Sequence, residues 1–325
     1  MSTESSARVG AAAAAVGRVT EAVGGAVVGQ TEAVETLLAS YMAGGHTLIE
    51  GVPGIAKTLL ARAFASAVGL KFSRVQFTPD LMPSDLLGTN VFDEKTAAFR
   101  LVRGPIFTEV LMADEINRTP PKTQSALLEA MQERQATTDG VSHRLDESFF
   151  VIATQNPIEF EGTYPLPEAQ LDRFATRIVM RLPDRAAEVE IYRRSVAGTL
   201  AGSTPDAPLP EPVVGRAEAS ALRRASRFVH VAPELLEYVA ALAAAVRGSP
   251  RVEIGPSPRG ALALIETARA GALAGGRDFV APDDVKRFLA PCWAHRTLLT
   301  ADAELENRTA EQTLAEVAAA VPVPR

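Results

Sequence analysis

The apolar positions of this 325-residue chain follow two different patterns. Up to Pro183, short apolar runs recur between longer helical ones. Thr47–Glu50, Glu109–Ala113, Phe149–Thr154 and Ile178–Leu182 read as strands, and Phe72–Phe77 alternates as a fifth. Leu59–Phe64 and Lys122–Gln132 have helical spacing. Fully apolar strands alternating with helices predict a parallel sheet covered on both faces. Two segments interrupt the alternation. Asn90–Asp93 with Ala98–Val102 predicts an inserted hairpin within 90–104, and Gln135–Leu145 predicts another. Thr78–Gly88 carries turns and room for one helical turn.

Ahead of the first strand, residues 1–15 read as frayed and Val16–Val27 as a helix broken near Gly24-Gly25. Val28-Gly-Gln30 is a turn. Thr31–Met42 is a strong helix with Thr31 as its N-cap and Ala33, Leu37, Leu38 and Met42 facing inward, ended by Gly44-Gly45. Beyond Pro183 only helices are expected, over 184–197, 216–227, 233–246, 258–274, 281–289 and, more weakly, 309–319. Ala201–Pro212 holds four prolines and no apolar period, so it reads as a linker. The expected organisation is a frayed stretch 1–15, a nucleotide-binding core 16–183, a linker region with a helix 184–212 and a helical lid 213–325. No internal repeat is visible.

Composition narrows the class. Hydrophobic residues are 47% of the chain and aromatics 6%, a balance that favours close-packed helices over aromatic-rich sandwiches. The formal net charge of -6 supplies no global field to draw nucleic acid. The single cysteine, Cys292, excludes an intrachain disulfide and a multi-cysteine metal site, and is expected to be a buried thiol in a reducing compartment. No leader is expected in the N-terminal stretch and no membrane span anywhere, which makes a soluble cytoplasmic protein the default.

The chemistry concentrates at two places. Gly51-Val-Pro-Gly-Ile-Ala-Lys-Thr58 sits between the strand Thr47–Glu50 and the helix from Leu59, the arrangement that cradles phosphates with backbone N–H groups. Gly51, Pro53, Gly54, Ile55, Ala56 and Leu59 shape or flank that cradle. Lys57 is expected to reach the β- and γ-phosphates, and Thr58 to place its hydroxyl on Mg²⁺. Ala56 stands where a glycine is common, which is acceptable if its dihedrals are helical. The second place is Leu111-Met-Ala-Asp-Glu115, an apolar strand ending in two carboxylates. Asp114 is assigned to Mg²⁺ and Glu115 to the attacking water. Together the two places imply binding and cleavage of ATP. Asn156, just after the strand Phe149–Thr154, can orient the same water. Arg173 and Arg259 are the candidates for positive charge against the γ-phosphate. Arg259 opens a helix, where its charge opposes the dipole and points to a nearby anion; a salt bridge to Glu253 is the plain alternative. Arg118 is either an interface arginine or a partner of Glu115 or Asp114. The four histidines, His46, His143, His230 and His295, have no ligand spacing, and His46 is expected near the adenine side.

The chain closely resembles the MoxR branch of the AAA+ ATPases. The resemblance is carried by Val28-Gly-Gln30, Gly51–Thr58, Phe77-Thr-Pro-Asp-Leu81 with Pro83-Ser-Asp85, Ala113–Arg118, Pro120–Glu133, Ala153–Pro157 and Gly162–Phe174. It implies an α/β fold: an AAA+ P-loop NTPase core with a central parallel sheet, followed by an all-helical lid domain. It implies Asn156 as first sensor, Arg259 as second sensor and Arg173 as an arginine finger acting on ATP of the neighbouring subunit. Val28 and Gly29 would lie beside the adenine, both hairpins would face a ring pore, and Gln76 would couple the pore side to Glu115. Ala56 is itself usual for the branch. By resemblance the protein is a chaperone-like remodeller or maturation factor. It would form a hexameric ring, use ATP and Mg²⁺, and work with a von Willebrand factor A domain protein on a client the sequence does not reveal. A nucleic-acid motor or loader and a non-hydrolysing nucleotide-gated scaffold are the rival readings.

Overall fold

The computed structural model describes residues 3–156, 162–202 and 207–324. The chain opens with helices α1 (Thr3–Ala26) and α2 (Thr31–Met42), then strand β1 (Thr47–Glu50) and helix α3 (Lys57–Ala67). Next come β2 (Phe72–Gln76), the short α4 (Pro83–Leu87), a hairpin of β3 (Gly88–Asp93) and β4 (Ala98–Arg103), and β5 (Val110–Asp114). Helix α5 (Pro121–Glu133), a second hairpin of β6 (Gln135–Thr138) and β7 (Val141–Arg144), β8 (Phe150–Gln155), α6 (Glu168–Leu171) and β9 (Thr176–Val179) complete the core. Helices α7 (Arg185–Val196), α8 (Arg216–Ser226) and α9 (Pro233–Arg247) follow. The last part contains β10 (Val252–Ile254), α10 (Pro258–Ala274), α11 (Pro282–Trp293), β11 (Leu298–Leu299), α12 (Ala301–Leu305) and α13 (Ala310–Ala320).

Five strands form one parallel sheet in the order β2-β5-β8-β1-β9. Alternate side chains of a strand point to opposite faces. Val110, Met112, Phe150 and Ile152 therefore enter one core with α1, α2 and α3, whereas Leu111, Ala113, Val151 and Ala153 enter a second core with α5. Two covered faces explain why these strands are apolar throughout rather than alternating. Both predicted hairpins form outside this sheet, joined by a hydrogen bond of 2.8 Å from Asn90 to Asp139.

Several expectations are corrected. Residues up to 15 are not frayed from Thr3 onward. Val9, Ala12, Val16, Val19 and Val23 fall at helical spacing and are buried in the core, so packing orders a helix that glycine-rich sequence alone would not hold. The same packing carries α1 through Gly24-Gly25 without a break. Gln30, not Thr31, is the N-cap of α2; its side chain makes no cap bond and its amide donates instead to the Arg181 carbonyl at 2.8 Å. The strand expected over Ile178–Leu182 is Thr176–Val179: it pairs with β1 from Thr47 and Thr176 onward, and the Met180 N–H still donates to the Glu50 carbonyl at 2.8 Å. The last helical region is not purely helical, since β10 and β11 pair as a short antiparallel ribbon. Helix α11 continues to Trp293 past Pro291, held by Trp293, Cys292 and Phe288 in the core. Cys292 is buried, as expected, and burial pushes its thiol up to about 11.

His46 lies at the start of β1, against Phe149 and Phe150, at the opposite end of that strand from Gly51, so it is not on the nucleotide side. Its Nδ1 accepts from the Val151 N–H at 3.0 Å, so Nε2 carries the proton and donates to the Met131 carbonyl at 3.2 Å. Burial and the nearby Arg134 lower its pKa to about 3, and it is a neutral structural bridge. Among the described residues no helix is long and apolar enough to cross a membrane.

Candidate nucleotide site

Parallel strands β1, β5 and β8 are neighbours, so their C-terminal ends deliver the candidate residues to one edge of the sheet. The crevice beyond the carboxyl ends of such strands is where α/β proteins bind ligands. Lys57 and Thr58 open α3 immediately after the loop that leaves β1, and the positive end of α3 points at the loop. The Lys57 ammonium folds back onto the carbonyl of Gly51 and lies 3.4 Å from that of Gln155, linking the ends of β1 and β8. Gly51 must be glycine by contact: a Cβ there would sit 2.9 Å from the Met180 carbonyl.

Ala56 is not helical. It is the N-cap of α3 with φ of 71° and ψ of 25°, the left-handed region. The expectation that an alanine is comfortable there on helical dihedrals is therefore corrected: the loop imposes a conformation that costs an L-residue about 1–2 kcal/mol. Part of that relief is lost because glycine has more entropy to lose on folding. Ala56→Gly is expected to raise unfolding stability by about 0.5–1 kcal/mol, read as a higher denaturant midpoint at unchanged slope; a lower midpoint would contradict the strain.

Asp114, at the end of β5, is buried and doubly held. Thr154 donates its hydroxyl to Oδ1 at 2.5 Å, and Arg74 donates to Oδ2 from Nη2 at 2.6 Å and Nε at 3.0 Å. Glu115 follows in the left-handed region with φ of 56°, its N–H donating to the Thr154 hydroxyl at 2.8 Å. Strained backbone of this kind gathers at functional sites. The Glu115 carboxylate is tied at Oε2 by the Gln76 amide at 2.7 Å and by Arg118 at 3.0 Å. Gln76 thus touches Glu115, and Arg118 pairs with Glu115 rather than Asp114. Asn156 directly follows β8 on the same edge and is buried. Arg74 was not anticipated. The signal was available in the alternation of β2, which puts Arg74 and Gln76 on one face, but its partner lies 40 residues away.

The turn at Val28-Gly29 is drawn to this edge. Gly29, with φ of 77°, packs so closely on Pro183 and Ala187 that a Cβ would come 2.8 Å from Ala187. The segment from Met180 to Ala187 therefore touches both Gly51 and Gly29 and brings the turn beside the phosphate loop. Leu59 packs under the loop at Gly202. Pro53 and Gly54 are exposed on the loop, and Ile55 is buried beneath it.

Arg173 and Arg259 lie elsewhere. Arg173 precedes β9, whose first residue pairs with Thr47 at the start of β1, while Gly51 follows the end of β1. The two sites are separated by the length of a four-residue strand, about 13 Å, plus the turns beyond it. Arg173 is half-buried and lines a cavity of about 210 Å³ with Gln170 and, on α5, Glu129 and Glu133. Arg259, exposed on the first turn of α10, stands at the same end, because Ser257 bonds to Asp172 beside Arg173. Among the described residues Arg259 forms no ion pair with Glu253.

A five-stranded parallel sheet, a phosphate loop opening α3, an Asp-Glu pair ending the adjacent strand and a helical lid define the chain as a P-loop ATPase of the AAA+ class. Comparisons with known proteins agree. The model for the "ATPase family associated with various cellular activities (AAA)" matches residues 46–176, and the "AAA lid domain" matches residues 244–317. The chain is 42% identical to the Bacillus subtilis protein YeaC, with 95% of each chain covered. It is 41% identical to the Mycobacterium tuberculosis protein "Chaperone MoxR1", covering 92% of this chain and 80% of that one. It is 32% identical to "Protein MoxR" of Paracoccus denitrificans, covering 93% and 94%. The solved structure of a putative ATPase from Cytophaga hutchinsonii superposes with a TM-score of 0.88 at 36% identity, over 98% of both chains. The chain belongs to the MoxR family of AAA+ ATPases.

Proposed function

We propose that this chain is a Mg²⁺-dependent ATP hydrolase that acts as a chaperone-like remodeller or complex-maturation factor, with each active site completed by a neighbouring subunit of a ring. The observation that carries it is the placement of Arg173 and Arg259 at the opposite end of the sheet from Lys57. Phosphoryl transfer needs cations against the charge that develops on the γ-phosphate. Arginines presented on a different edge can supply that only to another subunit's nucleotide, and a ring is the closed arrangement that repeats such a contact. The name of the Mycobacterium relative supports the chaperone reading.

In this reading Val28 and Gly29 flank the adenine, and Gly51, Pro53, Gly54, Ile55, Ala56 and Leu59 form or back the phosphate loop. Lys57 leaves the Gly51 and Gln155 carbonyls for the β- and γ-phosphates. Thr58 and Asp114 are the hard oxygen donors that would hold Mg²⁺ at the phosphates. The donor set fits because Mg²⁺ is a hard cation taken up by one or two protein oxygens together with substrate phosphates, and a hydroxyl and a carboxylate are such donors. Bound Mg²⁺ neutralises phosphate charge. Glu115, tied among the described residues through Oε2, has Oε1 to accept the proton of the attacking water, and Asn156 orients that water. Residues 16–183 would form the ATPase core, 184–212 the linker region and 213–325 the lid. The ring would be a cytoplasmic hexamer that engages a von Willebrand factor A domain protein and a protein client.

The test is turnover against protein concentration. Turnover per subunit is expected to rise with concentration across the range where assembly is seen by light scattering, to require Mg²⁺ and to vanish in Lys57→Ala. A turnover per subunit independent of concentration, in a protein that stays monomeric, would overturn the shared site.

A further inference from the structure

Arg296 is a lid arginine whose side chain is only 3% exposed, and all five of its N–H donors are engaged. Nε donates to Asp172 Oδ1 at 2.6 Å. Nη2 donates to the carbonyls of Asp172 at 2.8 Å and Phe174 at 2.6 Å. Nη1 donates to the carbonyl of Ala175 at 3.1 Å and to that of Cys292. One guanidinium thus grips the core backbone on both sides of Arg173. His295 adds a bond of 3.0 Å from Nε2 to the Phe174 carbonyl.

The same carboxylate reaches the helix that carries Arg259. The Ser257 hydroxyl lies 3.2 Å from both oxygens of Asp172 and donates its proton there, while its oxygen accepts from the Gly260 N–H at 3.1 Å and so caps α10. The indole of Trp293 donates to the Gly260 carbonyl at 2.9 Å, and a Cβ on Gly260 would come 2.8 Å from Arg296 Cδ. The first turn of α10 is therefore fixed to the assembly that fixes Arg173. Among the described residues, the side chains of Arg173 and Arg259 themselves have no hydrogen-bond or ion-pair partner.

We propose, on the shared-site reading above, that Asp172, Arg296 and Ser257 are positioning residues that hold Arg173 of the core and Arg259 of the lid in fixed register, so that the two arginines meet one nucleotide of the neighbouring subunit together. The clamp touches no substrate. Its effect runs through the placement of two charges, and a displacement of about 1 Å at such a group can cost about a hundredfold in rate. A lid that rotates against the core would separate the arginines, and the clamp resists that rotation at the point where it matters.

Removing Arg296 breaks a buried pair and is liable to unfold the chain, so the test uses Ser257. Ser257→Asp keeps an oxygen acceptor to cap α10 but has no proton to give Asp172 and opposes it with a second carboxylate. Ser257→Thr keeps the hydroxyl. The expected result is turnover at saturating ATP about tenfold lower for Ser257→Asp, within about twofold of wild type for Ser257→Thr, and affinity for ATP within about threefold in both. Mixed in equal amounts with Lys57→Ala, whose arginine edge is intact, Ser257→Asp is expected to regain turnover several-fold per intact loop. The control pair is Arg173→Ala with Lys57→Ala. Wild-type turnover in Ser257→Asp overturns the clamp. So does a loss that the mixture does not recover while the control pair recovers. Failure of the control pair removes the shared site itself, and the clamp with it.

Discussion

Replacing Glu115 by Gln is expected to lower ATP turnover about 10²- to 10⁴-fold, the usual contribution of a positioned general base, with ATP affinity within about threefold of wild type. The substitution conserves shape. The backbone of residue 115, with its left-handed φ of 56° and its bond to Thr154, is untouched. Gln76 and Arg118 still find an oxygen to donate to. What is lost is a charge and a proton acceptor. Lys57, Thr58 and Asp114 remain to hold nucleotide, so the variant should load ATP and stall. Equilibrium binding of ATP and a steady-state phosphate assay separate the two effects. Turnover near the wild-type rate would show that another group activates the water. A stalled, ATP-loaded form is also the form expected to retain a client longest, which makes it the bait for identifying one.

Arg173→Ala is expected to lower turnover about 10³-fold at saturating ATP, at the lower end of what an arginine finger supplies. Arg173, after α6, is half-buried beside α5 and outside the two apolar cores, so its truncation opens no core cavity. Because it stands at the other end of the sheet from Lys57, dilute Arg173→Ala should bind ATP as wild type does. Hydrolysis alone should suffer, and only in the assembled state. The contrast with Lys57→Ala, which should lose binding itself, is the measurement of interest. If Arg173→Ala weakened ATP binding in the monomer, the arginine would have to serve its own site, which the strand geometry disfavours.

How much could be read ahead of the structure depended on the range of the interactions involved. The phosphate loop was legible because strand, loop and helix are contiguous, and its chemistry follows from Lys57 and Thr58 standing at a helix start. The Asp114-Glu115 pair was legible for the same reason. Helices α2, α5 and α10 form where the sequence places them, although α2 is buried on nearly every side rather than along one stripe. Helix α1 was underestimated because its four glycines weaken the local helical signal, and its buried stripe is recognised only against the core it covers. The left-handed state of Ala56 was missed because it is imposed by loop closure and not by the residue's own preference. Arg74, Thr154 and Arg296 were missed because each acts on a partner distant in sequence, and charged or hydroxyl side chains carry no local mark of their partner.

Local sequence alone therefore determined the class of protein: a P-loop between strand and helix, a carboxylate pair closing an apolar strand, and a parallel sheet to carry them. Those features depend on residues adjacent in the chain, whose backbone dihedrals and periodicity are decided over a few residues. Only the tertiary structure decided where the arginines stand. The strand order β2-β5-β8-β1-β9 and the parallel sense of β1 and β9 send Lys57 to one end of the sheet and Arg173 to the other. Asp172 and Arg296, 124 residues apart, then bind Arg259 to the same edge as Arg173. Sheet direction and buried ion pairs are set by packing the whole chain at once, and so it was the fold that put the phosphate loop and the two arginines at opposite ends of one sheet.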